Sequence, residues 1–191
     1  MNSEIILSIL MGIGLSAASG FRIFIPFLVL SIASYTGNIS LADSFSWIGT
    51  LPALVTFGAA TLIEIAGFYI PWIDNLLDTI ASPAAVVAGI ILTASVVTGM
   101  SPLLTWSLAI IAGGGIAGTI QALTGLTRAT SSLTTGGLGN PAVSTVESGS
   151  SLTLSAIALF IPLIAGIIVI GLFVLAVRML VRKSNSKTKI I

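Results

Sequence analysis

The chain has 191 residues, of which 55% are hydrophobic and 7% are charged, and its net charge is +1. Soluble domains carry about 25% charged residues, so this composition excludes an ordinary soluble domain and a disordered chain, and it predicts a polytopic membrane protein. The absence of Cys and His excludes thiol and imidazole catalysis, disulfides, haem ligation and ordinary zinc sites. We expect no cofactor, and no nucleic-acid partner because the basic residues form no stripe outside the C-terminal tail.

Apolar stretches separated by Gly, Pro and polar clusters predict membrane helices, because barrel strands would alternate apolar and polar residues over about ten positions. We predict an all-α fold of about six membrane helices in one integral-membrane domain, residues 1–183, followed by a basic cytoplasmic tail, residues 184–191. The first two helices are short for a membrane core about 30 Å thick, which is typical of a tight hairpin or a re-entrant segment. The predicted helices are residues 5–19, 23–35, 49–69, 83–98, 102–119 and 152–181.

The first apolar stretch is not interpreted as a signal peptide. Small residues follow it at Ser16-Ala-Ala-Ser19, as they do at a cleavage site. However, only Glu4 precedes the stretch, and a signal peptide needs Lys or Arg there. We therefore expect a first membrane helix.

Two polar segments connect the predicted helices. Residues 40–47, with Asp43, Phe45 and Trp47, predict a connector at the membrane interface, because aromatic rings favour the headgroup level. A simple anchor is the favoured interpretation of this connector, and a specific role is the alternative. Residues 121–151 are rich in Thr, Ser and Gly and are too long for a bare turn, which predicts either a solvated outer loop or a segment that re-enters the membrane.

The C-terminal tail predicts the orientation in the membrane. Five of the seven basic residues lie there, and flanks rich in Lys and Arg stay in the cytoplasm. Six crossings, or four with a re-entrant hairpin, then place both termini in the cytoplasm. Since alternate loops share a side, residues 20–22, 71–82 and 121–151 are predicted to face outward and to converge on one vestibule. The five basic residues are Arg178, Arg182, Lys183, Lys187 and Lys189.

Asp74 and Asp78 stand four residues apart after Pro71, which places both carboxylates on one helical face. A lone Asp at the bilayer centre costs about 2.5–3.5 kcal/mol, so such residues are kept at an interface, in a wet cavity or in a pair. Carboxylates without His or Cys favour a hard cation, Na⁺, Mg²⁺ or Ca²⁺, or a proton relay. The alternative of equal weight is an interfacial connector with both side chains in water.

Arg22, Glu64, Arg128 and Glu147 complete the candidate ligand or ion site. Glu64 is flanked by apolar residues inside a predicted helix, which predicts a buried carboxylate that either pairs with Arg22 or Arg128 or couples to a proton or ion. Arg128 lies in a run of hydroxyls and glycines, and broken segments of this kind form anion or solute sites in transporters. An interfacial Arg128 in a solvated loop, and an Arg22 that snorkels from a hairpin tip, are the alternatives.

Two patterns concern helix packing and internal symmetry. Small residues four apart predict close helix packing rather than ligand contacts. A weak internal repeat is a further hypothesis, since each half has an Arg after a helix rich in small residues, then a Glu and a Pro, although the spacings differ. The small pairs are Gly14/Ala18, Ala85/Gly89 and Gly114/Gly118, and the two repeat sets are Arg22, Glu64, Pro71 and Arg128, Glu147, Pro162.

These motifs resemble those of an uncharacterised bacterial integral-membrane family, domain of unknown function 4126. The resemblance implies a protein of the bacterial cytoplasmic membrane and supports the choice of site residues, but it implies no reaction. The chain departs from the family pattern at Phe68, Tyr69, Ser82 and Thr124, where charged residues are expected, so ion pairs built on those positions are in doubt. The matching elements are Ser16-Ala-Ala-Ser-Gly-Phe-Arg-Ile-Phe-Ile-Pro26, Glu64, Pro71, Asp74, Asp78, Thr127-Arg-Ala, Thr135-Gly-Gly-Leu-Gly-Asn-Pro141, Ser144 and Glu147.

The favoured function is a small multi-pass transporter or channel for a small ion or solute, with the charged residues lining a polar cavity in the bilayer. A non-transporting membrane scaffold that uses the same residues as structural ion pairs is the alternative. A membrane enzyme ranks third, because no motif for a carboxylate or metal mechanism is present. The small size of the chain favours a homo-oligomer, which no sequence feature specifies.

Overall fold

The computed structural model describes the backbone of residues 3–188, and the side chains in that range except those of residues 71–72, 74–76, 78, 176–177 and 179–188. Over this range the fold is all-α and contains no strand, which confirms the predicted fold class. The helices are α1 (Ser3–Ser19), α2 (Phe24–Tyr35), α3 (Leu51–Gly67), α4 (Pro71–Val96), α5 (Pro102–Leu108), α6 (Gly115–Thr135), α7 (Asn140–Phe160) and α8 (Pro162–Thr188).

Two further helical segments join these elements. A 3₁₀ helix, Asp43–Gly49, precedes α3, and the two are bent by 64° relative to each other. A π-helical turn, Ala109–Gly114, joins α5 to α6, so that residues 102–135 form one continuous helix. Proline begins several helices, as it does at Pro71, because its missing N–H would have no partner in the first turn.

The passes through the bundle alternate in direction in the order α1, α2, α3, α4, α5–α6, α7 and α8. One end, which we name the Arg22 end, contains the α1–α2 turn, the α3–α4 connection, the α6–α7 turn and the C-terminus of α8. The other, the Asp43 end, contains the N-terminus of α1, the 3₁₀ helix and the connection at residues 97–101. Within the described chain the two termini therefore lie at opposite ends of the bundle.

This arrangement corrects the predicted topology. The prediction of both termini on one side is wrong, because residues 152–181 are not one pass: the chain turns back at Ile161, between α7 and α8. This extra pass reverses the end at which the chain finishes. Residues 121–151 are not a loop either, since they form the second half of α6, a short turn at Gly136 and Gly137, and the first half of α7.

The hydroxyl groups of residues 121–151 explain both why the sequence predicted an irregular segment and why the segment is nevertheless helical. Thr and Ser side chains compete with the backbone for hydrogen bonds, but in a helix they can also donate to the carbonyl four residues earlier. Thr127, Thr130 and Thr134 do so in α6, with distances of 2.8–3.0 Å, and Ser148 and Ser155 do so in α7. Their hydroxyls are thus satisfied inside the helices.

Two other predicted boundaries were wrong. Residues 71–82, predicted as a connector, form the first turns of α4, which continues through Pro83. Residues 152–181, predicted as one helix, are split at Ile161 between α7 and α8. Pro162 causes the split, because its ring prevents the preceding residue from continuing a helix.

The α7–α8 connection is a hairpin beside the middle of α1. A Cβ atom built at Gly14 would lie 2.6 Å from Ala158 and 3.0 Å from Ala165, one on each side of the break. Every residue from 156 to 170 is apolar. The backbone needs little water there, because the N–H of Ile161 donates to the Ile157 carbonyl and Pro162 has no N–H.

The outer surface is that of a membrane-embedded protein. Large apolar side chains face outward all around the bundle, among them Leu62, Leu103 and Ile111, each more than 70% exposed. Within the described chain, residues 79–96 and 102–135 are each long and apolar enough to cross a membrane, and the bent 3₁₀–α3 pair would make a third span. The predicted number of six spans is not confirmed.

The small-residue pairs mark close helix crossings, as predicted. A Cβ atom built at Gly89 would lie 2.6 Å from the Cβ of Ala117 and 2.8 Å from the Gly113 carbonyl oxygen, which holds α4 against the π-helical turn. The Ser16 hydroxyl donates to that same carbonyl and brings in α1. The crossing of α1, α4 and α6 therefore depends on the absence of side chains at these glycines. The internal repeat stays a prediction.

Candidate functional site

Glu147 in α7 bridges two arginines at the Arg22 end. Its Oε1 accepts from the Nε of Arg128 at 3.0 Å, and its Oε2 accepts from the Nη2 of the same guanidinium group, so the α6–α7 pair is bidentate. The Nη2 of Arg22 lies 3.2 Å from the same Oε2. All three side chains are almost completely buried, with 1–4% of each residue exposed. Bidentate pairing fixes geometry as well as charge.

Arg22 reaches α7 from the turn between α1 and α2. Its Nη2 donates to the Ser144 carbonyl at 3.2 Å, and its Nε donates to the Ser148 hydroxyl at 3.1 Å. The Ser151 hydroxyl donates to the Ala18 carbonyl at 2.9 Å, one turn further along α7. Arg22 is therefore held inside the bundle, and the alternative in which it snorkels to the interface is wrong.

Phe68, just after α3, contacts both guanidinium groups. The central carbon of Arg22 lies 3.8 Å from the centre of the ring, and that of Arg128 lies 4.0 Å from it. A cation over an aromatic ring gains about 2 kcal/mol or more when the contact is desolvated. The ring thus partly replaces the water that the two cations lose on burial.

Glu64 in α3 holds the first turn of α2. Its Oε1 accepts from the backbone N–H of Ile23 at 2.8 Å, and its Oε2 accepts from that of Phe24 at 3.0 Å. These N–H groups lack partners within the helix, and a carboxylate there is favoured by the helix dipole. The prediction that Glu64 is buried is confirmed, since the residue is 7% exposed, and its carboxylate lies beside the turn that carries Arg22.

The structure thus brings together Arg22, Glu64, Arg128 and Glu147, as the predicted convergence required. Asp74 and Asp78 lie in the first turns of α4, which begins at this same end, but their side chains are outside the described residues. The helical backbone keeps the i and i+4 relation that places both on one face. No group of three or more possible metal ligands is found among the described residues.

Sequence reasoning missed Phe68 and Ser148 as members of this site. Ser148 belongs to a polar series on one face of α7, which contacts α6, Phe68, α1 and the α1–α2 turn and whose members recur mostly at intervals of three and four residues. Such spacing marks one face of a helix, so the series was readable once α7 was recognised as helical. Phe68 carried no positive signal, because an apolar residue in an apolar segment is unremarkable. The series is Asn140, Ser144, Glu147, Ser148, Ser151 and Ser155.

The site holds charges in fixed positions and offers no recognisable catalytic arrangement among its described residues. The carboxylate oxygens of Glu147 are taken up by guanidinium groups, and those of Glu64 accept from backbone N–H groups. The described cavities, including one of about 440 Å³ between α7, α8 and Phe21 and one of about 450 Å³ at the Asp43 end, are lined by other residues. In this conformation the two arginines pair directly with Glu147, and the polar cavity around these residues stays a prediction.

Comparison with known proteins supports the family and nothing narrower. No curated protein and no solved structure matches the chain. The family described as Domain of unknown function (DUF4126) matches over residues 9–182, nearly the whole chain. This agrees with the resemblance in the motifs around Arg22, Glu64, Arg128 and Glu147, and the chain belongs to that family.

Proposed function

We propose that this membrane protein carries a small ion or solute across the bacterial cytoplasmic membrane, and that the contact between Arg22, Glu147 and Arg128 is the closed gate at one end of its path. The observation that carries the proposal is the gathering of four charged side chains, each less than 10% exposed, at one end of an otherwise apolar bundle. Ionisable residues inside a membrane bundle are costly, and they mark ion and substrate paths by default.

The gate joins two groups of helices. Arg22 and Phe68 come from the α1–α2 turn and the end of α3, whereas Arg128 and Glu147 come from α6 and α7. The Tyr69 hydroxyl also contacts that of Thr145 at 2.7 Å. An interface built from ion pairs can switch between two packing arrangements, and many proteins open and close in this way.

Interrupted helices support the same function. The regular α-helical geometry is interrupted at three places: the bend between the 3₁₀ helix and α3, the π-helical turn before α6 and the break at Ile161. Transporters place their sites at discontinuous helices, and π-helical turns recur at functional sites. The Asp43 end has an open cavity of about 450 Å³, so the conformation fits a carrier closed at one end and open at the other.

The basic residues with described side chains lie toward the Arg22 end, and the other four follow in the C-terminal part of the sequence. The seven are Arg22, Arg128, Arg178, Arg182, Lys183, Lys187 and Lys189, whereas the charged side chains described at the Asp43 end are those of the acidic Glu4 and Asp43. Basic residues stay on the cytoplasmic side. We therefore place the Arg22 end and the C-terminus in the cytoplasm and the N-terminus outside.

Asp74 and Asp78 extend the proposal as a candidate cation site next to the gate. Their common helical face near the start of α4 motivates it. A hard cation bound there would stabilise the fold by about 2.7 kcal/mol at a hundredfold excess over its dissociation constant.

A membrane scaffold is the second candidate function. It is favoured by one observation, namely that the Glu147 carboxylate is saturated by arginine donors and lines none of the described cavities. In a scaffold the same contacts would tie four helices together and would never open.

A flux assay separates the two functions. Purified protein in liposomes is given steps of Na⁺, K⁺ or ethanolamine on a solid-supported membrane, and proton entry is followed with an internal pH dye. A carrier gives a saturable, protein-dependent signal for at least one of these probes. Glu147→Gln should change that signal at least tenfold, and the exposed Glu4→Gln should leave it as in wild type. A folded protein that is silent to all four probes supports the scaffold and contradicts transport.

A further inference from the structure

The cavity at the Asp43 end has a composition unlike the rest of the molecule. It measures about 450 Å³ and lies between the 3₁₀ helix, the connection at residues 97–101 and the start of α5. Its walls combine one carboxylate, three hydroxyl groups and two aromatic rings, whereas the other described cavities are almost wholly apolar. The residues that carry the argument are Asp43, Ser44, Phe45, Thr98, Thr105 and Trp106.

The backbone fixes this cavity. The N–H of Ala42 donates to the Ser95 carbonyl at 2.9 Å, which ties the start of the 3₁₀ helix to the end of α4. Phe45 and Trp106 then face each other from the two sides, with ring centres 6.2 Å apart and planes tilted by 52°. The two sides of the cavity are thus joined by a backbone hydrogen bond and by the contact between the two rings.

The electrostatics of the cavity favour a cation. Asp43 is the ionisable residue that lines it, and among the described residues its carboxylate has neither a hydrogen-bond donor nor an ion-pair partner. Among the residues whose side chains are described, none at this end is basic, and Glu4 is the other charged one. An incoming cation therefore meets an uncompensated negative charge.

The cavity suits an organic cation better than a metal ion. Ca²⁺ requires six to eight oxygen ligands and Mg²⁺ near-ideal octahedral geometry, and a single carboxylate with scattered hydroxyls falls short of both. Aromatic rings, in contrast, attract alkylammonium groups, with about 0.5–2 kcal/mol per contact, and cages of aromatic rings with a carboxylate are the common solution for such ligands. The hydroxyl groups would accept the remaining N–H donors of a primary ammonium.

We infer that the Asp43 cavity binds an alkylammonium group, with the Asp43 carboxylate as its counter-ion and Phe45 and Trp106 as its aromatic walls. The ligand is either a soluble amine or the ammonium headgroup of a membrane lipid. Both would reach the cavity, because it lies at the interface predicted for the 3₁₀ segment. This inference concerns binding and does not require that the protein transports what it binds.

Fluorescence of Trp106 gives a direct readout. Trp47 and Trp72, the other two tryptophans, are replaced by Phe, so that the emission comes from the cavity wall. The protein is placed in phosphatidylglycerol nanodiscs, which contain no ammonium group, and titrated with ethanolamine and with choline at constant ionic strength. A saturable change in emission is expected, which NaCl at equal concentration does not produce.

Two charge-neutralising variants test the assignment. Asp43→Asn should weaken the apparent affinity at least tenfold, and Glu4→Gln, which removes the same charge at the same end from a residue that does not line the cavity, should leave it as in the parent. No saturable response, or equal affinity in Asp43→Asn and Glu4→Gln, overturns the inference. Because no gradient is applied, this result is independent of the flux assay.

The source of the ammonium group is decided by lipid composition. In nanodiscs that contain phosphatidylethanolamine, a lipid headgroup in the cavity raises the ethanolamine concentration needed for half-saturation. An unchanged value assigns the cavity to a soluble amine. Either result retains the alkylammonium assignment and differs only in where the ligand comes from.

Discussion

Glu147 shares its carboxylate between two buried guanidinium groups, and this sharing determines what its removal does. Glu147→Gln keeps the size of the side chain but leaves Arg22 and Arg128 with one negative charge fewer. Removal of one member of a buried ion pair costs about 3–5 kcal/mol, because the partner charge stays buried. We expect a clearly lower melting temperature in detergent, whereas Glu4→Gln, on the exposed start of α1, melts as wild type.

A double variant provides a second, independent test of this prediction. Glu147→Gln combined with Arg128→Gln removes one charge of each sign and should recover part of the lost stability. Single and double variants that all melt at the wild-type temperature would place the Arg22–Glu147–Arg128 contact in water and contradict the buried arrangement.

Phe68 shows how a single residue can be misread in sequence. Family comparison suggested that an uncharged residue at this position removes ion-pair partners from the site. In the structure the ring of Phe68 contacts both guanidinium groups, and a cation–π contact replaces some of the lost electrostatic stabilisation. The charges at Arg22, Arg128 and Glu147 were identifiable in sequence because charge is rare in this chain, but the neutral residue that joins them was not.

At the scale of helices, the sequence predicted the apolar elements well and the polar ones poorly. α1, α2 and α3 lie within about two residues of the predicted bounds, because continuous apolar runs identify membrane helices directly. The second half of α6 and the first half of α7 were missed, because Thr, Ser and Gly signal loops in water. Inside this bundle the Thr and Ser hydroxyls donate to carbonyls of the same helix, and the local sequence pattern does not predict these hydrogen bonds.

The alternating passes and the orientation of the bundle have a measurable consequence. Ser44, in the 3₁₀ helix, and Thr134, at the end of α6, are exposed at opposite ends of the bundle. Since the chain contains no Cys, Ser44→Cys and Thr134→Cys can be labelled one at a time. An impermeant maleimide should label Ser44→Cys in intact spheroplasts and Thr134→Cys only after permeabilisation.

The labelling result tests both the passes and the orientation. Labelling of both variants from the same side contradicts the alternating passes of the structure. Exclusive labelling of Thr134→Cys in intact spheroplasts keeps the passes but reverses the orientation, which would contradict the placement of the basic residues in the cytoplasm.

At the scale of the whole molecule, the sequence predicted that the charged residues converge, and the structure explains why. The convergence of Arg22, Glu64 and Arg128 followed from the alternation of loops and survived an incorrect crossing count, since the missed pass comes after Arg128. The side of the membrane was predicted from where the chain ends, and the proposed orientation places the Arg22 end on the opposite side. The direct pairing of Arg22 and Arg128 with Glu147 was not predicted from the sequence, because residues 121–151, which contain Glu147, were not predicted to be helical.

The central claim is that the Arg22 end is a gate held closed by the Arg22–Glu147–Arg128 contact. The direct test is a distance measurement between spin labels at Ile70→Cys and Leu133→Cys, which are exposed on the two groups of helices that the contact joins. Double electron–electron resonance in lipid nanodiscs should give one main distance in the otherwise wild-type chain and an additional longer distance in Glu147→Gln. A single, identical distance in both proteins would contradict the gate and leave the contact as a fixed structural tie.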